Sequence, residues 1–149
     1  MGTLFFEDFE VDTTFETPGR TITESDIMLF AGISGDYNAL HTDEEFGKRT
    51  KFGQRIAHGM LGISIATGLM SRSGIFEGSA VALLGINNWK FVNPIFIGDT
   101  IHVRFKITEK RLSKSNPETG ILNRYYELIN QRNEIVQQGE MPVLIRIKD

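Results

Sequence analysis

Between Arg55 and Arg72 lie sixteen residues, IAHGMLGISIATGLMS, with no Asp, Glu, Lys or Arg. A helix built from them has no charged face to turn toward water, so it must be surrounded by protein on most sides. A membrane span needs about 20 apolar residues, and this run is too short and too rich in glycine. Gly62 and Gly68 would each cost roughly 1 kcal/mol against alanine in an exposed helix. Their presence predicts close approach by a neighbouring backbone. The rest of the chain must supply a wrapper for this segment.

The second half of the sequence reads as that wrapper. TIHVRFKIT alternates, with Ile101, Val103, Phe105 and Ile107 on one face and His102, Arg104 and Lys106 on the other. PVLIRIK alternates again through Val143, Ile145 and Ile147. ILNRYYELIN reads as a strand, SNPETG as a turn and NQRNE as a hairpin connection. SAVALLGIN reads as a buried strand, and an extended segment near Thr13–Thr21 adds another. The expectation is an α+β fold over residues 1–149, one domain. Five or six largely antiparallel strands would wrap a long buried helix.

Upstream, Thr23 is placed as a helix N-cap, with Glu24 and Asp26 in the first turn and Ile27, Phe30 and Ala31 at helical spacing. Gly32 and Gly35 weaken and end that helix. Thr42 is a second candidate N-cap, with Asp43, Glu44 and Glu45 behind it and Phe46 on the buried side.

Between these helices stands SGDYNALH, which puts Asp36 and His41 five residues apart. His102 falls on a polar strand face and reads as a surface residue. His58, beside Gly59, opens the charge-free helix. His41, Asp43, Glu44 and Glu45 could suggest a metal, but no second histidine follows at i+4, and acids opening a helix have a dipole explanation, so no metal is expected. Ser34 has no nucleophile-elbow pattern around it, and the absence of cysteine excludes disulfides, thiolate zinc sites and cysteine nucleophiles. An acid and an imidazole that reach one water can divide the two proton transfers of hydration across a double bond. If that bond is conjugated to a carbonyl, the free amides at the helix N-terminus near Gly59 can meet the developing oxyanion.

The stretches FAGISGDYNALHTDEEF, FGQRIAHGMLGISIATGLM and KFVNPIFIGDTIHVRF resemble the MaoC-type, R-specific enoyl-CoA hydratase family. That resemblance implies a hot-dog fold, a curved antiparallel sheet around one long helix. It implies that Asp36 and His41 form the catalytic pair, that Gly59 supplies a main-chain donor to the thioester carbonyl, and that Asn38 shapes the loop. His58 is carried over only as adjacent to the site, and Thr67 stands where relatives place a serine near the pair. Ala39 replaces the family's usual proline, and Thr67 adds a methyl to the site.

The implied reaction is reversible addition of water to a trans-2-enoyl-CoA, giving a (3R)-3-hydroxyacyl-CoA. Coenzyme A serves as the substrate's handle, and no other cofactor is expected. The same chemistry on acyl carrier protein would draw on a basic patch from Arg104, Lys106, Lys110 and Arg111. A non-catalytic thioester-binding subunit and a thioesterase are the remaining rivals. The acyl tunnel is expected to end near Met60, Leu69, Trp89 and Phe91.

A net charge of −3 without a basic block predicts no nucleic-acid partner. The acidic N-terminus has no signal-peptide pattern, and Phe6 replaces the hydroxyl residue of a myristoylation site. A cytoplasmic protein with no membrane association is expected. Exposed sheet edges predict a homodimer or an oligomer of dimers.

Overall fold

The computed structural model describes residues 2–149. The order along the chain is β1 (Thr14–Glu16), β2 (Arg20–Thr21), α1 (Glu24–Ser34), α2 (Ala39–Thr42), α3 (Glu44–Arg49), α4 (Gly59–Arg72), β3 (Ala80–Leu83), β4 (Asn87–Phe91), β5 (Thr100–Leu112), β6 (Thr119–Ile129), β7 (Ile135–Glu140) and β8 (Val143–Arg146). Strands β1, β5, β6, β7 and β4 lie side by side in that order, each pair antiparallel. Strand β2 extends the β5 edge, while β8 pairs with β6 and carries β3 on its other side.

Alternation builds the centre of this sheet. Ile101, Val103, Phe105 and Ile107 of β5 are at most 1% exposed, and Leu122, Tyr126 and Leu128 of β6 share their depth. They pack into one cluster with Leu61, Ile63, Ile65, Ala66, Leu69 and Met70 of α4. Each large side chain so buried contributes about 1.5–3 kcal/mol, which offsets the two helix glycines. Helix α4, charged only at Arg72 in its last turn, is thus wrapped by the sheet, the hot-dog arrangement.

Several expectations need correction. Among the described residues there are eight strands, not five or six. Pro18-Gly19 divides the N-terminal extended segment into β1 and β2, Pro142 separates β7 from β8, and β4 carries no alternation. Strand β3 is exposed at all four positions rather than buried, because it pairs with β8 alone. Asp43, not Thr42, caps α3, its carboxylate accepting from the Phe46 amide at 2.9 Å. Phe46 is 39% exposed; Gly47 is the buried residue, and a Cβ there would sit 2.6 Å from the Arg55 nitrogen.

Gly62 does face a close neighbour, the Gln137 side-chain amide rather than a backbone. Gly68 meets nothing within 4 Å. It belongs to an exposed stripe of α4 with Met60, Ser64, Thr67 and Ser71. The helix is therefore wrapped on one side only.

Thr23 caps α1 as expected, and Gly35 ends it in the left-handed region at φ 75°. The turn before β5 is held by Asp99, which is 4% exposed. Its carboxylate accepts from the Phe96 amide, Gln131 Nε2 and Arg132 Nη1 at 2.8–3.1 Å. Burial pushes the Asp99 carboxyl up, but these bonds outweigh it and hold the group below its ordinary 3.8. A depressed folded value means that the carboxylate's contribution is complete above the unfolded-chain value and is lost as pH falls through the folded one. Asp99→Ala should therefore cost about 2–3 kcal/mol at neutral pH, read as a lower melting temperature. The gap between variant and wild type should narrow in acid.

Candidate active site

The backbone between Arg55 and Ala57 is anchored on both sides. Arg55 donates to Glu24 of α1 and Glu44 of α3 at 2.9 and 2.8 Å. The Ile56 amide donates to the Leu40 carbonyl, and the Ala57 amide to the Ile95 carbonyl. This clamp presents the Ile56 carbonyl to His41, whose Nδ1 lies 2.7 Å away. A carbonyl can only accept, so Nδ1 carries the proton and Nε2 faces the open side.

Asp36 sits in the loop between α1 and α2. Its Oδ1 accepts from the Asn38 amide at 3.2 Å, and Asn38 in turn caps α2 by accepting from the Leu40 amide. Asp36 Oδ2 lies 4.0 Å from His41 Nε2. That gap is too long for a hydrogen bond, but a water oxygen about 2.8 Å from each atom would complete a triangle over it. Asp36 is half exposed, while His41 is buried behind it.

His58, expected to stand adjacent to the site, lies directly against it. It is 2% exposed, and its Nε2 donates to the Asp36 carbonyl at 2.9 Å. Its ring stacks on His41 with centroids 3.8 Å apart and planes at 26°. Phe30 of α1 closes the other side at 4.9 Å. His58 therefore touches both members of the pair. Its Nδ1 is buried without a partner among the described residues.

One potential ligand atom from each of Asp36, His41 and His58 lies within 4.8 Å of the others. This is a different set from the acids weighed after His41. It does not suit a metal. Lone pairs of two nearly parallel stacked rings run alongside each other, whereas a metal needs them to converge about 2.0–2.1 Å from each nitrogen.

His41 lines a cavity of about 570 Å³ with Gly59, Met60, Phe91, Ile95 and Lys51. Gly59 begins α4, and neither its amide nor that of Met60 has a hydrogen-bond acceptor among the described residues. Both can donate at the positive end of the helix dipole. The space of a Gly59 Cβ is taken by the Phe91 ring, 2.7 Å away, and the Gly59 carbonyl accepts from Gln137 Nε2 at 3.0 Å. The helix start is thus fixed in place.

Thr67 is not brought to this pair. It lies roughly 12 Å along α4 from Gly59, exposed, with Oγ1 donating to the Ser64 carbonyl. Met60 and Phe91 line the cavity as expected of tunnel residues. Leu69 is in the core, and Trp89 donates instead to Gln137 Oε1 at 3.1 Å. The proposed basic patch does not converge here either: Arg104 pairs with Glu127, Lys106 with Asp12, and Lys110 donates to the Phe6 and Phe9 carbonyls. Lys51 is the basic residue at the cavity.

A sheet wrapped around a helix charged only at its last residue, with an acid–imidazole pair beside that helix's N-terminus, defines a hot-dog protein of the hydratase and dehydratase type. The chain belongs to the MaoC-like family: the family described as "MaoC like domain" matches residues 8–125. It is 38% identical over 106 residues to the Protein MaoC of Klebsiella aerogenes, covering 71% of this chain but only 31% of that protein. It is 36% identical over 104 residues to an (R)-specific enoyl-CoA hydratase of Rhodospirillum rubrum, covering 70% of this chain and 69% of that one. Among solved structures, a protein titled monoamine oxidase regulatory protein from Archaeoglobus fulgius superposes with a TM-score of 0.90 at 36% identity. The match covers 100% of this chain and 98% of that one.

Proposed function

We propose that this chain is a single MaoC-like hot-dog domain that adds water reversibly to a trans-2-enoyl-CoA, giving a (3R)-3-hydroxyacyl-CoA, in the cytoplasm. The observation that carries the reading is the 4.0 Å separation of Asp36 Oδ2 and His41 Nε2 beside the open amides of α4. The thioester carbonyl accepts from the Gly59 amide, where the helix dipole stabilises the enolate that forms. The Asp36 carboxylate takes a proton from the bound water, whose oxygen adds to C3. His41, as the imidazolium with Nε2–H toward the substrate, delivers a proton to C2. Both transfers occur from one side, so the addition is syn. No cofactor takes part; coenzyme A is the handle, and Lys51, which lines the cavity, meets its phosphates in this reading.

Loss of enoyl absorbance with a series of enoyl-CoAs, followed by chiral analysis of the product, tests this. Formation of the (3R) alcohol is the expected result. Release of free CoA would make the protein a thioesterase. Tight binding with absorbance unchanged would make it a non-catalytic subunit.

The working form is a homodimer in this proposal. The α4 stripe carries no charge, and nearby Val81, Leu83, Leu84, Phe91 and Val92 are each 47–57% exposed. Among the described residues strand β4 pairs with β7 alone, which leaves one edge open to a second copy. Light scattering should give twice the chain mass. Ser64→Lys, which sets a charge in mid-stripe, should shift the protein toward the monomer. A wild-type monomer at all concentrations would remove this part of the proposal. Among the described residues no helix is long and apolar enough to cross a membrane.

A further inference from the structure

Strand β6 turns Leu122, Arg124, Tyr126 and Leu128 toward the interior. Arginine is out of place in that row. Arg124 is 6% exposed and makes no ion pair among the described residues. Its Nε donates to the Met141 carbonyl at 2.9 Å, and its guanidinium carbon lies 4.9 Å from the Phe76 ring centroid and 5.1 Å from that of Tyr126. That engages one of five N–H donors. The others find no acceptor among the described residues, yet they are not sealed in, for Arg124 and Tyr126 both line a cavity of about 400 Å³.

Tyr126 is 1% exposed and donates its hydroxyl to no acceptor among the described residues. Burial pushes that hydroxyl up to about 12, so it stays a neutral donor. Met70, Val81, Leu83 and Met141 make most of the remaining wall apolar, and the exposed Glu77, which makes no ion pair with Arg124, also lines it. A buried cation is costly unless an anion recovers the lost hydration. The cavity therefore offers an anion a buried guanidinium and a buried hydroxyl in a largely apolar wall, with Glu77 as its one acidic neighbour.

Its position relates it to the catalytic cavity. Thr67 and Ser71 line it, and they continue the exposed α4 stripe that starts at Met60 in the cavity of His41. Met60 and Thr67 are roughly 10 Å apart along the helix. In the dimer proposed above, a chain anchored at Gly59 and laid along this stripe would reach Thr67 and Ser71, which line the cavity of Arg124.

We infer that the cavity is a subsite for a carboxylate carried at the far end of the acyl group, with Arg124 as its charge partner and the Tyr126 hydroxyl as a second donor. The inference rests on the hydratase reading and deepens it, since it assigns the substrate class as enoyl thioesters of dicarboxylic acids. A methyl-ended chain would leave Arg124 unpaired; a carboxylate-ended chain satisfies it. A phosphate of coenzyme A is the alternative anion.

The test compares kcat/KM on pairs of enoyl-CoAs of increasing length, alike except for a methyl or a carboxylate end. The wild type should favour the carboxylate member by roughly 10²-fold or more at the best-fitting length. Arg124→Met should abolish that preference, and Arg124→Lys should retain part of it. Glutarate serves as a probe independent of turnover: it should raise the melting temperature of the wild type but not of Arg124→Met.

Hydration without a preference for the carboxylate member overturns the subsite and leaves the hydratase. So does an equal loss on both members in Arg124→Met, which a phosphate or subunit contact would give. No turnover of either member, with glutarate protecting the wild type alone, overturns the hydratase reading and supports the anion site. If Arg124→Met does not fold, the wild-type preference and competition by glutarate against the carboxylate member decide.

Discussion

Asp36→Asn is expected to lower turnover of an enoyl-CoA by roughly 10²- to 10⁴-fold, the usual loss when an acid or base is removed, while the fold persists. The side chain is 52% exposed and accepts one hydrogen bond, from the Asn38 amide. An Asn oxygen can still accept that bond, so the variant loses proton affinity and little structure. His41→Gln should cost a similar factor in turnover but more in stability. It removes a buried ring and the 2.7 Å bond to the Ile56 carbonyl. Stopped-flow absorbance on a saturating enoyl-CoA, read beside a thermal melt, separates the two effects. Asp36→Asn with unaltered turnover and melt would end the assignment of the pair.

How much of this was legible beforehand depends on how local the interaction is. Asp36 and His41 share one short loop, so their spacing in the chain already implied their spacing in space. The contact between His58 and the Asp36 carbonyl crosses 22 residues and depends on the clamp at Arg55. No local pattern encodes it. Lys51, Phe91 and Ile95 meet at the cavity from separate loops and strands for the same reason.

The sheet divides along similar lines. Strand β5 was readable because one face meets the core and the other is polar or only partly buried. Strand β4 was not, since Asn87–Phe91 lacks alternation and is held by β7 and by the Trp89–Gln137 bond. The residues of β3 and the α4 stripe were misjudged for a different reason. Apolar side chains that enter a core and those left exposed have the same composition, so hydrophobicity alone cannot separate them. Arg124 is the converse case. The alternation of Leu122, Tyr126 and Leu128 sets it on the inward face, and a single charge in that register was a readable signal of a polar group inside.

His58→Leu is expected to lower kcat by roughly 10- to 100-fold, the range for losing a group that orients a catalytic one, with little change in KM. The Nε2–H of His58 holds the backbone that carries Asp36, and its ring backs His41, so both ends of the 4.0 Å gap depend on it. His58→Gln, which keeps a donor near the Nε2 position, should recover part of the loss. His58→Phe, which keeps the stack alone, should recover less. The stability result is what distinguishes a positioning role from a structural one. His58 Nδ1 is a buried acceptor without a partner among the described residues, a feature that costs about 1–3 kcal/mol. Leucine removes that cost together with the useful bond, so its melt should stay near that of wild type while turnover falls. A melt that drops with kcat per folded molecule preserved would show that His58 merely packs.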